Sequence, residues 1–494
     1  MRRLTLCIAV SFLGLAAWAQ EPPLPPGLDA PAPAPANNAP PLPPGLEDSA
    51  PASNAAEPAL PPGLGEPTPA PADPALPPGL DMPAEDQAPA APTEDKPPWF
   101  KELNLHGFWE TRGGLRLQDD PAQSSDAILG ETRFQLKLKQ QWSRAGLDVT
   151  GDAIFDGVLE EADFDLRQFR LTWSPGGNID IRMGRQVLTW GTGDLLFIND
   201  LFPKDWQSFL GGRDVEYLKA PADAIKIGWY PKFANFELVY TPQFTPDRYI
   251  TGERVSFWNP MLGRHAGRDN EVRANPPSTW FENDEFAWRI YRSVGRTELA
   301  VYGYAGYWKS PGGQRLWPYV GATFPKLNVY GASLRTTLGK GVVNAELGYY
   351  DSRQDRKGGN AFVNNSEFRL LLGYERELGK NFTGGFQYYL EHMMDHSEYR
   401  RTLPFFVEPR DQNRHLLTMR LTKLLMNQNL TLSLFTFWSP SDQDAFLRPA
   451  VTYKVNDHWT VQTGANVFLG NDDHTFFGQF ENNSSVYAGA RYSF

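Results

Sequence analysis

The side chains best placed to act on another molecule concentrate between Gly191 and Asp223. There Asp194, Asp200, Lys204, Asp205, Arg213, Asp214 and Glu216 stand among Leu195, Leu196, Phe197, Phe202 and Trp206. Charges of both signs among bulky apolar groups suit the screening of polar solutes, since the apolar groups can anchor the segment while the charges face water. Outside that stretch the chemistry is thin. Glu391, His392, Asp395 and His396 are metal-ligand types, yet residues i and i+4 of a strand lie about 13 Å apart, so a solvated loop edge is the better reading. No GxSxG nucleophile motif, phosphate-cradling loop or dinucleotide fingerprint occurs. The one cysteine, Cys7, falls in an apolar N-terminal run, which leaves the remainder without thiol chemistry, disulfides or cysteine-held metal. The reading is of a non-enzyme with no cofactor and no metal.

The elements that must position the charged segment are strands. From Leu103 onward the dominant period is two: Thr132, Phe134, Leu136, Leu138 and Trp142 alternate with Glu131, Arg133, Gln135, Lys137, Lys139 and Gln141. The connections alternate in length. Tight turns are expected at Ser143–Gly146, Pro175–Asn178, Pro231–Asn235, Ser293–Arg296, Leu338–Gly341, Leu378–Asn381, Met426–Asn429 and Val455–His458, with long polar loops such as Gly191–Asp223 and Pro242–Asp284 between them. Eight turns joining strand pairs, with one further strand at each end, give 18 strands; 16 is the lower count, because the phase blurs over Phe164–Trp173 and Leu327–Leu338 and Gly184 has the look of a bulge. Trp142, Trp173, Trp229, Trp288, Trp438 and Trp459 fall toward strand ends, as interfacial girdles require. The expected fold is therefore all-β, a transmembrane antiparallel up-and-down β-barrel, whose closure satisfies every backbone group inside lipid.

Two segments of different composition precede it. Arg2 and Arg3, the apolar run Leu4–Ala17 and Ala17-Trp18-Ala19 have the organisation of a signal peptide, read as residues 1–19. Residues 20–98 read as a disordered tether: Glu21–Pro98 holds 26 of the 43 prolines, 12 acids, one base (Lys96) and no aromatic residue. LPPGL recurs there at Leu24–Leu28, Leu42–Leu46, Leu60–Leu64 and Leu76–Leu80. Either the tether is a stiff spacer, or the four copies dock multivalently on a periplasmic protein. Residues 99–494 form the barrel; with 46 acids against 44 bases and an acidic arm, the chain gives nucleic acid no electrostatic footing.

In the final strand Val486, Ala488, Ala490, Tyr492 and Phe494 alternate with Tyr487, Gly489, Arg491 and Ser493, ending on a terminal Phe. Here the chain resembles bacterial outer-membrane porins, nearest in architecture to 18-stranded channels of the alginate-export and substrate-specific type. Gly184-Arg185-Gln186, Trp190-Gly191 and Gly193-Asp194 resemble a stretch of porin-like proteins without pointing to a substrate. The resemblance implies that Tyr492 and Phe494 are read by the barrel-assembly machinery and that residence is in the outer membrane of a Gram-negative bacterium, with the tether in the periplasm. It also implies that the third long loop folds into the barrel, its aromatics on the wall and its charges at the aperture; an ordered cap outside the mouth is the alternative.

In such a barrel the polar phase lines the lumen. Arg133, Lys137, Lys139, Arg170, Arg182, Arg420, Arg448, Lys454 and Arg491 would face Glu346, Glu367 and Glu391 across it as a transverse field, unless Asp148, Asp152, Asp156 and Asp180 pair with the nearby bases along the ladder. Tyr302, Tyr304, Tyr350 and Tyr389 share that phase, to stack on sugar rings or to fill the interior. The function expected is passive diffusion of small hydrophilic solutes; the alternative is a membrane anchor or scaffold recruiting periplasmic partners through LPPGL.

Overall fold

The computed structural model describes residues 104–315 and 321–494. The signal peptide, the tether and its LPPGL copies lie outside the described residues. The barrel strands are β1 (Leu105–Arg116), β2 (Ala127–Gln141), β3 (Ala145–Asp156), β4 (Glu161–Gly176), β5 (Ile179–Val187), β6 (Pro221–Trp229), β7 (Asn235–Thr241), β8 (Glu285–Val294) and β9 (Thr297–Tyr307). They continue as β10 (Lys326–Leu338), β11 (Gly341–Ser352), β12 (Glu367–Gly379), β13 (Phe382–Met393), β14 (Asn413–Leu425), β15 (Leu430–Ser439), β16 (Asp444–Lys454), β17 (Trp459–Gly470) and β18 (Ser485–Ser493).

Each strand pairs antiparallel with its neighbours in sequence, and β18 returns to β1 over Arg116↔Ser485 to Phe108↔Ser493. The sheet is thus an 18-stranded closed cylinder with no edge, the one way a sheet can satisfy its backbone in lipid. Phe494 completes the seam: its carbonyl accepts from the Gly107 N–H at 3.1 Å and its ring stacks on Phe134 at 6.0 Å. All eight expected turns are present, four of them with two connecting residues, among them Gly177-Asn178 between β4 and β5 with φ of 67° and 66°. Positive φ at both central residues matches the right-handed twist of a hairpin, which is why Gly-Asn occupies it.

Apolar residues of the outward phase form the belt. Trp109, Phe155, Phe164, Trp173, Trp229 and Trp438 are exposed on the outside of the cylinder. Of the six tryptophans expected at strand ends, Trp142, Trp229, Trp438 and Trp459 lie within one residue of a strand end, and Trp173 and Trp288 are each the fourth residue in from the end of β4 and β8.

The blurred phases have physical causes. Between Thr150↔Gln168 and Gly151↔Leu166 the ladder skips Arg167, and this extra residue flips the outward set of β4 from Phe164 to Phe169, Leu171 and Trp173. Gly184 is not a bulge: its register with Arg170 is unbroken. It has φ of 108°, and a Cβ would stand 2.2 Å from the Phe169 carbonyl oxygen, so a backbone conformation and a close approach fix glycine there. In β10 the inward residues Leu327 and Val329 are apolar because they join a hydrophobic core inside the cylinder.

Candidate functional site

That internal core is built by the connection between β5 and β6, residues 188–220, which folds into the lumen. It contains the short helix α1 (Trp206–Gly211), N-capped by the Asp205 side chain, and a 3₁₀ turn at Val215–Leu218, N-capped by Asp214. Leu195, Ile198, Phe202, Phe209 and Leu218 pack against inward side chains such as Val239, Leu327, Leu371, Phe437 and Phe446. Phe209 meets Phe446 edge-on at 5.7 Å, and Phe446 stacks on Phe468 at 4.4 Å.

The loop is tied to the wall around the cylinder, at mid-strand positions rather than above the rim, so it is not an external cap. Glu346 on β11 receives the backbone N–H groups of Thr192, Gly193 (2.8 Å) and Asn199 (3.3 Å) and the Asn199 amide (2.9 Å). Asp194 makes a two-pronged ion pair with Arg420 on β14, one contact being 2.7 Å, while its N–H donates to Gln387 on β13. On the far side the Gly212 carbonyl accepts from Arg112 on β1 at 3.1 Å, the Leu210 carbonyl from Asn466 on β17 at 3.2 Å, and the Arg213 carbonyl from Arg448 on β16 at 3.2 Å. Arg213 pairs with Glu131 on β2 at 2.7 Å. Arg491 on β18 reaches Glu216 at 2.9 Å and lies 3.9 Å from Asp214. The Tyr217 ring lies between the guanidinium groups of Arg133 and Arg167, at 4.1 and 4.5 Å.

The charges are therefore turned mainly to the wall, contrary to the expectation that they aim at the aperture. The reason is electrostatic. Wall groups such as Glu131 and Arg133 are almost wholly buried once the loop is in place, and a buried charge left without a partner costs several kcal/mol, on the order of 3–5. Asp200 and Lys204 pair with each other at 2.9 Å, and Asp205 lies 3.3 Å from Arg248 of the loop between β7 and β8. Burial acts against the Arg248 charge, but its hydrogen bonds and charge contacts with Asp165 and Asp205 outweigh burial and hold its pKa above the ordinary arginine value. The apolar residues Leu196, Phe197, Leu201 and Trp206 remain half-buried, facing a chamber on the loop side.

The other lumen-phase charges pair locally, in keeping with the second of the two readings. Arg133 meets Asp152 at 2.6 Å, Arg170 meets Asp148 at 2.5 Å, Arg182 meets Asp180 at 2.9 Å and Arg369 meets Glu367 at 2.6 Å with Glu391 at 3.8 Å. Neighbouring opposite charges cancel a transverse field at short range. Lys137 and Lys139 continue the inward phase toward the turn end, and Lys454 sits beside Asp457 of a turn at 3.6 Å. The four tyrosines are buried: the Tyr350 hydroxyl donates to the Ile198 carbonyl at 2.5 Å, Tyr389 to Glu391 at 3.0 Å and Tyr304 to Glu285, while Tyr302 shares a 2.9 Å bond with Ser333. His392 bonds Asn413 at 2.7 Å and His396 the Arg410 carbonyl at 2.8 Å, so the two rings are engaged separately. Sequence reasoning missed Arg112, Asn199, Arg167, Tyr217 and Gln387 as loop anchors; only Arg112 and Arg167, as charges on strands, carried any signal.

The chamber has a volume of about 780 Å³. The inner loop forms one side, and β10–β15 and the outer loops form the others.

Fold and site together define a closed, 18-stranded antiparallel β-barrel with a loop fixed across its interior. No protein-family model and no curated protein matches the chain. Among solved structures it is similar to OccAB3 of Acinetobacter baumannii, at 11% identity and a TM-score of 0.49 over 80% of this chain and 99% of that one. It is similar to a mutant of the Rh. blastica porin at 9% identity and a TM-score of 0.36, over 79% and 100% of the two chains. OmpT, an outer membrane protein of Vibrio cholerae, is similar at 10% identity and a TM-score of 0.36, over 79% and 97%.

Proposed function

We propose that the protein is an outer-membrane channel for passive diffusion of small hydrophilic solutes, with residues 188–220 as its constriction and the proline-rich arm in the periplasm. The observation that carries this reading is the attachment of one loop to far sides of the lumen, at Glu346 and Arg420 on one hand and Arg112, Glu131 and Arg491 on the other. A fixed loop at mid-height narrows a cylinder that 18 strands would otherwise leave wide enough for an aqueous path. The outward apolar belt and the seam closed by Phe494 support a lipid setting and assembly by the barrel machinery. Proteoliposome swelling in neutral solutes of graded size tests it. Entry of the smallest solutes through the parent, and of larger ones after replacement of residues 194–212 by a short Gly-Ser linker, is expected; equal exclusion by both proteins would refute it.

The near-complete burial of wall charges against the loop, Asp152 at 0% and Glu346 at 2%, favours a second reading. A filled barrel would serve as an anchor whose LPPGL arm recruits periplasmic partners.

A further inference from the structure

We propose that the chamber above the inner loop is a binding site for compact, ring-bearing solutes rather than for sugars or anions. The inference rests on the channel reading only in taking this chamber as the outer mouth; occupancy is measurable without current.

The apolar surface is placed where water would otherwise lie. Leu196, Phe197, Leu201 and Trp206 are half-buried at the chamber, although the same loop buries Leu195, Ile198, Phe202 and Phe209 against the wall. Apolar surface left in water is unfavourable in proportion to its area, and a solute that covers it removes that cost. Across the chamber Arg369 lies over the Tyr350 ring at 4.0 Å and Arg414 over the Phe476 ring at 4.4 Å, and Phe476, at 48% exposure, keeps open ring surface at the lining. At about 780 Å³ the space falls within the range of pockets that enclose small organic ligands, roughly 300–1,000 Å³.

Most of the buried polar groups are already engaged. Asp247 accepts from the Lys204 N–H at 2.7 Å, the Trp206 ring N–H at 3.1 Å and the Ser310 hydroxyl at 2.6 Å. Arg369 is held by Glu367 and Arg414 by Asp442 at 2.7 Å, and the Tyr350 and Tyr389 hydroxyls are donated within the protein. A sugar needs a partner for every hydroxyl it desolvates, and an ion needs an uncompensated opposite charge. Among the described residues the interior offers few spare hydroxyl partners, the Nη2 of Arg414 being one, and its cations Lys204, Lys309, Arg369 and Arg414 are each already paired with a carboxylate, which leaves none for an anion. Arg410, Asp411 and Asp472, which make no ion pair among the described residues, are exposed and together carry a charge of −1, so the rim of the chamber repels an anion.

The test uses the purified, folded barrel in detergent and the neutral quencher 4-nitrobenzyl alcohol, read against Trp206 and Trp308 of the lining. Tryptophan emission is corrected with N-acetyltryptophanamide in the same micelles. Saturable quenching is expected, with affinity lowered about tenfold in Leu196→Gln and in Phe476→Ser, while glucose leaves emission and quencher affinity unchanged. Phe476 is 48% exposed on an outer loop, so that variant keeps the barrel intact, which the heat-shifted electrophoretic mobility of folded barrels checks. Linear quenching that tracks the control, affinity unchanged in both variants, or competition by glucose would overturn the proposal. Saturable binding by a barrel that passes no current would instead refute the channel reading and leave this one standing.

Discussion

Replacing Glu346 by Ala probes the inner loop at its densest anchor. The carboxylate is 2% exposed and accepts four donors, the N–H groups of Thr192, Gly193 and Asn199 and the Asn199 side-chain amide. A buried donor left without a partner costs about 1–3 kcal/mol. Water entering the vacated space restores part of that, so a net loss of about 3 kcal/mol is the working value. It would multiply the population of displaced-loop states by roughly 150. In single-channel recordings at fixed voltage the variant should make frequent excursions to a larger conductance that the parent visits rarely. Glu346→Gln, which keeps one acceptor oxygen but presents an amide to the donors, should fall between them. Traces of Glu346→Ala indistinguishable from the parent in level and open-state noise, in barrels of normal electrophoretic mobility, would refute the idea that this carboxylate holds the constriction.

Other perturbations act on the same architecture. The Asp194–Arg420 pair is only partly shielded, at 16% and 14% side-chain exposure, so a double-mutant cycle with Ala at each position should give a coupling of about 1–2 kcal/mol in loop-opening frequency; additivity would show that the pair does not act as a latch. Gly184→Ala should lower the folded fraction after refolding into detergent, since φ of 108° and the nearby Phe169 carbonyl together cost about 1–3 kcal/mol; wild-type recovery would mean that the β4–β5 hairpin relaxes freely. Phe494→Ala removes the ring from Phe134 and should reduce assembled barrel in outer-membrane fractions several-fold, with undiminished levels arguing that the seam closes through β18 alone. Deleting three of the four LPPGL copies should leave single-channel conductance unchanged while pull-downs report whether envelope partners are lost; a changed conductance would place the arm at the pore.

Much of the cylinder was legible because its rules are local. Turn residues and alternation need only neighbours in sequence, and most of the eight turns fell where Gly, Asn, Asp and Pro clustered. The strand phase failed at Phe164–Trp173, where Arg167 inserts between ladder partners that no sequence pattern reveals, and at β10, where the lumen side is apolar. That second failure explains the site as well. Alternation normally assigns apolar residues to lipid, yet Leu371, Phe437, Phe446 and Phe468 point inward because residues 188–220 supply them with a core. Composition flagged this loop through its surplus of apolar residues. The orientation of its charges depends on partners about 80 to 280 positions away in sequence, as with Arg213–Glu131 and Glu216–Arg491, and such pairings are decided only when the cylinder closes.

The most direct test of a water-filled path through this barrel is the current it carries in a planar bilayer. With the processed chain added to one side in 1 M potassium chloride, the account predicts discrete, stable steps, enlarged when residues 194–212 are replaced by the linker. Bilayers that stay insulating with both proteins, despite inserted and folded barrels, would contradict it.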